Sequence, residues 1–102
     1  MREEQLLAYL KGACLGRAFR VGGAELERVL GTSATELRKL VNRLRRRGEA
    51  ICSDRNGYFY AQTAGELYAT ICQLRKMVRG LEAAIRGLEQ ALEGFSRGGD
   101  PP

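Results

Sequence analysis

The stretch SATELRKLVNRLRRRGEAICSDRNGYFYA, residues 33–61, decides how this chain is read. It opens with Ser33-Ala34-Thr35-Glu36, an S-x-x-E box in which the Ser hydroxyl and the Glu carboxylate each take an orphan backbone N–H at a helix start. Leu37, Leu40, Val41 and Leu44 follow at i, i+3, i+4 and i+7 and define one apolar stripe. At about 100° per residue, Thr35, Lys39, Asn42 and Arg46 point the opposite way, with Arg38 and Arg43 beside them. Gly48 ends the helix. Ala50-Ile51-Cys52-Ser53 and Tyr58-Phe59-Tyr60-Ala61 then enclose Asp54-Arg55-Asn56-Gly57, where Asn-Gly predicts the positive φ values of a type I′ hairpin turn.

Toward the N-terminus, Leu6, Leu7 and Leu10 share one face of a short helix ending near Gly12, with Leu15 and Phe19 available to pack behind it. Residues 17–21 alternate briefly and suggest a small strand against the hairpin. The next helix covers 24–30, with Leu26, Val29 and Leu30 inward and Glu25 in the first turn, where a carboxylate suits the helix dipole. Gly31-Thr32 makes the turn into Ser33. Two helices joined by a short Gly-containing turn, the second capped and basic, meet the helix-turn-helix pattern.

The charge is placed as unevenly as it is composed. The chain of 102 residues carries 17 Lys and Arg against 12 Asp and Glu, a net charge of +5. Arg38, Lys39, Arg43, Arg45, Arg46 and Arg47, set against Glu36 alone, account for that whole excess within residues 33–47. Such a field attracts phosphate or anionic lipid, while the plainer reading of an arginine run is a solvated helix face. Binding to a membrane surface is disfavoured because the helix lacks the Leu-rich and aromatic face that lies in lipid.

Beyond the hairpin, Thr63-Ala64-Gly65-Glu66 is a second capping box. Leu67, Ile71, Leu74, Val78, Leu81, Ile85, Leu88, Leu92 and Phe95 then alternate spacings of four and three, a heptad seam of about four repeats. Taking Ile71, Val78, Ile85 and Leu92 as a and the others as d gives mostly β-branched a with Leu d, a combination suited to parallel pairs. Gly80, Ala84, Gly87, Ala91 and Gly94 form a small-residue stripe beside the seam, although each interior Gly costs about 1 kcal/mol relative to Ala. A closely approaching second helix, antiparallel or from a four-helix arrangement, would explain the stripe, so strand orientation stays open. A helix folded back on its own domain is the competing arrangement. The tail, residues 96–102, is rich in Gly and Pro and reads as disordered.

Catalysis has no support in the residues. There is no histidine, no nucleophile with a base at recognisable spacing and no Gly-rich phosphate loop after a strand. Cys14, Cys52 and Cys72 are odd in number and widely spaced, which predicts buried, reduced thiols and no metal site. No cofactor is expected. The N-terminus lacks a signal-peptide pattern and no apolar run nears the ~20 residues of a membrane span, so a cytoplasmic protein is expected.

The residues 21–33, VGGAELERVLGTS, with the helix of Leu37 to Leu44 and Gly57-Tyr58-Phe59-Tyr60, resemble the small bacterial and phage winged-helix domains typified by the N-terminal domain of the biotin operon repressor. The resemblance covers residues 1 to about 62. It implies a third helix in the major groove, a hairpin wing on the flanking backbone, and Tyr58 and Tyr60 facing inward. Stacking of Tyr58, Phe59 or Tyr60 on bases is the less favoured role.

Together these readings predict a mainly α chain with a small β-hairpin, a winged helix-turn-helix over 1–62, a coiled-coil helix over 63–95 and a disordered tail over 96–102. The expected activity is sequence-specific binding of double-stranded DNA by a dimer or higher homo-oligomer, as in a small prokaryotic or phage transcriptional regulator. Thr35, Arg38, Lys39 and Asn42 are the expected base readers, because Arg suits guanine and Asn suits adenine in the major groove. Ser33, Arg43, Arg46, Arg47 and Arg55 are expected on phosphates, and Leu67, Ile71, Leu74, Val78, Leu81, Ile85, Leu88 and Leu92 at the dimer seam. The alternative is a docking or assembly module whose winged domain contacts protein.

Overall fold

The computed structural model describes residues 2–98 and is mainly helical, with one two-stranded hairpin. Helix α1 covers Arg2–Ala13, α2 Gly23–Leu30, α3 Ala34–Arg46 and α4 Ala64–Gly98, while β1 (Ile51–Asp54) and β2 (Gly57–Tyr60) pair antiparallel. The chain divides into one compact unit up to Thr70 and a second from Ile71 onward.

The core of the first unit forms where the apolar stripes of α1 and α3 meet. Leu6, Leu7 and Leu10 of α1 and Leu37, Leu40, Val41 and Leu44 of α3 are all buried, together with Leu26, Cys14, Ile51, Cys52 and Phe59. Helix α2 is two turns long and inserts Leu26 with Leu30 alongside, leaving Val29 43% exposed. The expectation of an inward Val29 is corrected by geometry, since it lies about 100° round the helix from Leu30. Leu15 and Phe19 do not pack behind α1 either: they are 42% and 67% exposed, and Cys14 is the residue buried just after that helix.

The suspected strand at 17–21 is a 3₁₀ turn, Arg17–Phe19, flanked by single pairing points on the free edge of β2. Gly16 N donates to Tyr60 O at 2.8 Å and Tyr60 N to Cys14 O at 2.8 Å. Five residues beyond Gly16, Val21 N donates to Tyr58 O at 2.9 Å and Tyr58 N to Val21 O at 2.8 Å. Gly16, with φ of 88°, swings the chain off the sheet between the two points.

The hairpin also differs from its expected turn. Asp54 pairs with Gly57, so Arg55 and Asn56 are the loop, and neither has positive φ. A type I′ turn is excluded because the Asp54 carboxylate organises the loop instead, accepting from Asn56 N at 2.8 Å and Gly57 N at 3.1 Å. Gly57 is required for a second reason: a Cβ there would overlap the Val21 carbonyl. Phe59 is the fully buried side chain of β2, while Tyr58 and Tyr60, which the resemblance implied to face inward, are half-buried and pack against the core from the alternate face. Period-two alternation allows only one choice once Phe59 enters the core.

Both capping boxes form their hydroxyl half. Ser33 Oγ accepts from Glu36 N at 3.1 Å, while the Glu36 carboxylate takes Arg2 Nη1 at 3.0 Å. At α4, Thr63 Oγ1 accepts from Glu66 N at 3.1 Å, and the Glu66 carboxylate accepts from Gln62 N at 2.9 Å and Arg17 N at 3.0 Å. These bonds to the ionised form hold the Glu66 carboxyl below its ordinary pKa, the Arg17 amide contributing most.

The first two turns of α4 belong to the core-bearing unit. Thr70 is 4% exposed and its hydroxyl accepts from Ser53 N at 3.3 Å, Cys52 Sγ lies 3.7 Å from Glu66 O, and Leu67 packs on the core. From Ile71 to Phe95 every residue of α4 is exposed, which corrects the expectation of three buried thiols: Cys14 and Cys52 are buried, but Cys72 lies on this exposed stretch. The helix continues through Ser96, Arg97 and Gly98, three residues that composition placed in a disordered tail; proline, which would stop it, comes only at 101. The rest of that expected tail, residues 99–102, lies outside the described residues. No described helix is long and apolar enough to cross a membrane.

Candidate nucleic-acid interface

Burial of Leu37, Leu40, Val41 and Leu44 fixes the rotation of α3, and with it which residues face outward. Thr35, Arg38, Lys39, Asn42 and Arg46 are all exposed and recur at the spacing of a single helical face. Among the described residues, Arg38, Lys39 and Arg46 have no carboxylate partner, and the same holds for Arg55 at the hairpin tip.

The other expected phosphate contacts are placed differently. Arg43 Nε meets Glu3 Oε2 at 2.6 Å and Arg47 Nη1 meets Glu4 Oε2 at 3.4 Å, so the acids opening α1 cover one edge of α3. Glu3 lines a shallow cleft with Arg43, Arg46 and Arg47. Ser33 Oγ is engaged in its cap, which leaves its lone pairs only partly available. Exposed ion pairs of this kind are each worth about 0–1 kcal/mol, weak enough for a phosphate to displace.

Arg45 leaves the basic field altogether. It is half-buried, with Nε donating to Ile51 O at 2.8 Å and Nη2 to Ser53 Oγ at 3.0 Å. Desolvation by burial pushes its pKa down from the ordinary arginine value. It latches β1 to α3.

Sequence reasoning missed Glu3 and Glu4, whose contacts lie 40 and 43 residues away along the chain. It also missed Arg17 and Arg20, whose Nε atoms each stand 3.8 Å from the Asp54 carboxylate at the hairpin turn. Arg17 also lies 5.6 Å from the Phe59 ring centroid, a cation–π distance. No local signal marks any of the four.

Within α4 the expected seam is an exposed apolar stripe, with Ile71, Leu74, Val78, Leu81, Ile85, Leu88, Leu92 and Phe95 between 36% and 71% exposed. Leu67, expected at the same seam, is partly buried and packs on the core of the first unit, since it falls within the first two turns of α4. Open space surrounds the Cα atoms of Gly80, Gly87 and Gly94. No cluster of His, Cys, Asp or Glu suited to a metal ion occurs among the described residues. Comparison of the chain with protein-family models, with curated proteins and with solved structures gave no match.

Proposed function

We propose that the first unit is a winged helix-turn-helix domain that binds double-stranded DNA, with α3 lying in the major groove and the β1–β2 hairpin serving as the wing. The observation that carries this reading is the outer face of α3. Arg38, Lys39 and Arg46 stand there without carboxylate partners, whereas Arg2, Arg28, Arg43 and Arg47 are each paired with a glutamate. Thr35 and Asn42 share the face and bring the hydroxyl and amide that hydrogen-bond to base edges. Arg46 and Arg55 hold phosphates on either side, and Arg43 and Arg47 join them by exchanging Glu3 and Glu4 for the nucleic acid.

Self-association through the exposed seam of α4 supplies the second DNA-binding unit. Nine large apolar side chains from Ile71 to Phe95, the eight of the seam and Met77, are more hydrophobic surface than a lone helix keeps in water. Two tethered modules then bind far more tightly than one.

Selection of bound sequences from a random duplex pool, followed by a salt titration on the winner, tests the reading. Enrichment of a defined site, with affinity falling steeply as salt rises, is the expected result. No enrichment at low salt, from a folded protein, replaces the DNA reading with protein docking through the same face.

A further inference from the structure

The exposed part of α4 carries information about its partner beyond the apolar seam, on the two flanks beside it. In the heptad register set by Ile71 and Leu74, the flank next to the d residues holds Gln73 and Met77 and then, from Gly80 on, only Gly80, Ala84, Gly87, Ala91 and Gly94. The flank next to the a residues holds Arg75, Arg79, Glu82, Arg86 and Glu89. One side of the seam is nearly stripped of side chains and the other carries charge, basic at Arg75 and Arg79 and acidic at Glu89.

We propose that α4 pairs with α4 of a second copy in the antiparallel sense, about a two-fold axis at residue 83. This rests on the self-association read above and fixes its direction. In a parallel pair each charged flank faces the small flank of the other helix, so the charges find no complement and the small residues are overhung by Arg and Glu stems. Reversing one helix brings like flank to like flank. Arg75 then faces Glu89 of the second copy, and Glu89 faces Arg75 of the second copy. Glu82 meets its own symmetry mate across the axis, and Arg86, one turn along in both chains, lies beside that pair to offset it.

The opposite flank gives the same direction independently. Ala84 faces Ala84 of the second copy with Gly80 and Gly87 on either side, and nothing within 4 Å of the added Cβ at either glycine hinders close approach. Backbones can come nearer there than Leu-lined helices allow, which offsets the helix propensity lost at each glycine. The seam fits the same axis. Ile71 meets Phe95, Leu74 meets Leu92, Val78 meets Leu88 and Leu81 meets Ile85, so all eight exposed seam residues are covered.

Directed cross-linking of the full chain decides the matter. Cys72 is exposed and is first replaced in a Cys72→Ser parent, while Cys14 and Cys52 are buried and stay. Light scattering on this parent is expected to give a dimer or larger assembly; a monomer overturns self-association and the pairing with it. Leu74→Cys and Leu92→Cys chains, oxidised separately, are expected to stay uncross-linked, and their mixture to form a disulfide between position 74 of one copy and position 92 of the other. Cross-linking of each variant with itself overturns the direction while leaving the dimer intact. A dimer that forms none of these bonds overturns the register. As a second measurement, Arg75→Glu and Glu89→Arg are each expected to weaken dimerisation about fivefold and together to restore it. Additive losses in the double variant overturn the Arg75–Glu89 contact.

Discussion

Arg45 reaches from the last turn of α3 to the Ile51 carbonyl, with 2.8 Å between its Nε and the oxygen. Its terminal nitrogen continues to Ser53 Oγ, so one half-buried guanidinium holds the hairpin against the helix that precedes it. Removing it leaves the Ile51 carbonyl without this partner, and Arg45→Ala is expected to cost about 1.5–3 kcal/mol of stability, the range for hydrogen bonds to a charged group. Arg46→Ala, one residue on and exposed, is expected to stay within about 0.5 kcal/mol of wild type. Urea denaturation of both variants measures the contrast.

On DNA the contrast is between Arg38 and Arg46. Arg38→Ala is expected to weaken binding to a selected site by about 1–3 kcal/mol and to relax preference at one base position. Arg46→Ala is expected to weaken all sequences alike and to lower the salt slope by about one unit. Fluorescence anisotropy at several salt concentrations separates the two. Unchanged affinity in Arg38→Ala, Asn42→Ala and Arg46→Ala together removes α3 from the interface.

Glu3 and Glu4 are paired with Arg43 and Arg47, and on the proposed DNA reading a phosphate has to displace them. The double variant Glu3→Gln, Glu4→Gln frees both cations while keeping the side-chain lengths. Tighter DNA binding, with a salt slope steeper by up to about two units, is the expected outcome in the same titration. Unaltered affinity and slope would place both arginines off the DNA.

Acid stability depends on Glu66. Its folded-state pKa is depressed by the Arg17 and Gln62 amides, so its contribution is present above the unfolded carboxyl value, about 4.3, and is lost as pH falls through the lower folded value. Glu66→Gln is therefore expected to lower stability at neutral pH and to flatten the decline below about pH 4. Thermal melts between acid and neutral pH give both results in one series.

What was legible in the sequence follows from how local each signal is. Ser33 caps α3 through an amide three residues away, and the four core positions of that helix repeat at fixed spacing, so the element and its rotation could be read directly. Arg45 and Arg46 are the same side chain about 100° apart on the helix, and only the arrival of Ile51 and Ser53 turns one into a latch. Val29 and Phe19 failed for a related reason: apolar character says a residue can be buried, while the arrangement of the surrounding elements decides whether it is. The Asn-Gly turn yielded to Asp54, whose carboxylate binds the same amides.

Cys52 sits fully buried where β1 meets the first turns of α4, its sulfur beside the Glu66 carbonyl and its pKa raised chiefly by burial. A thiol in that state is inert to alkylating reagents until the junction opens. Exposed Cys72 reacts without any opening and serves as an internal clock for the reagent. The ratio of the two alkylation rates thus reads out how often the hairpin parts from α4, a breathing motion measurable on the unaltered chain with no label added.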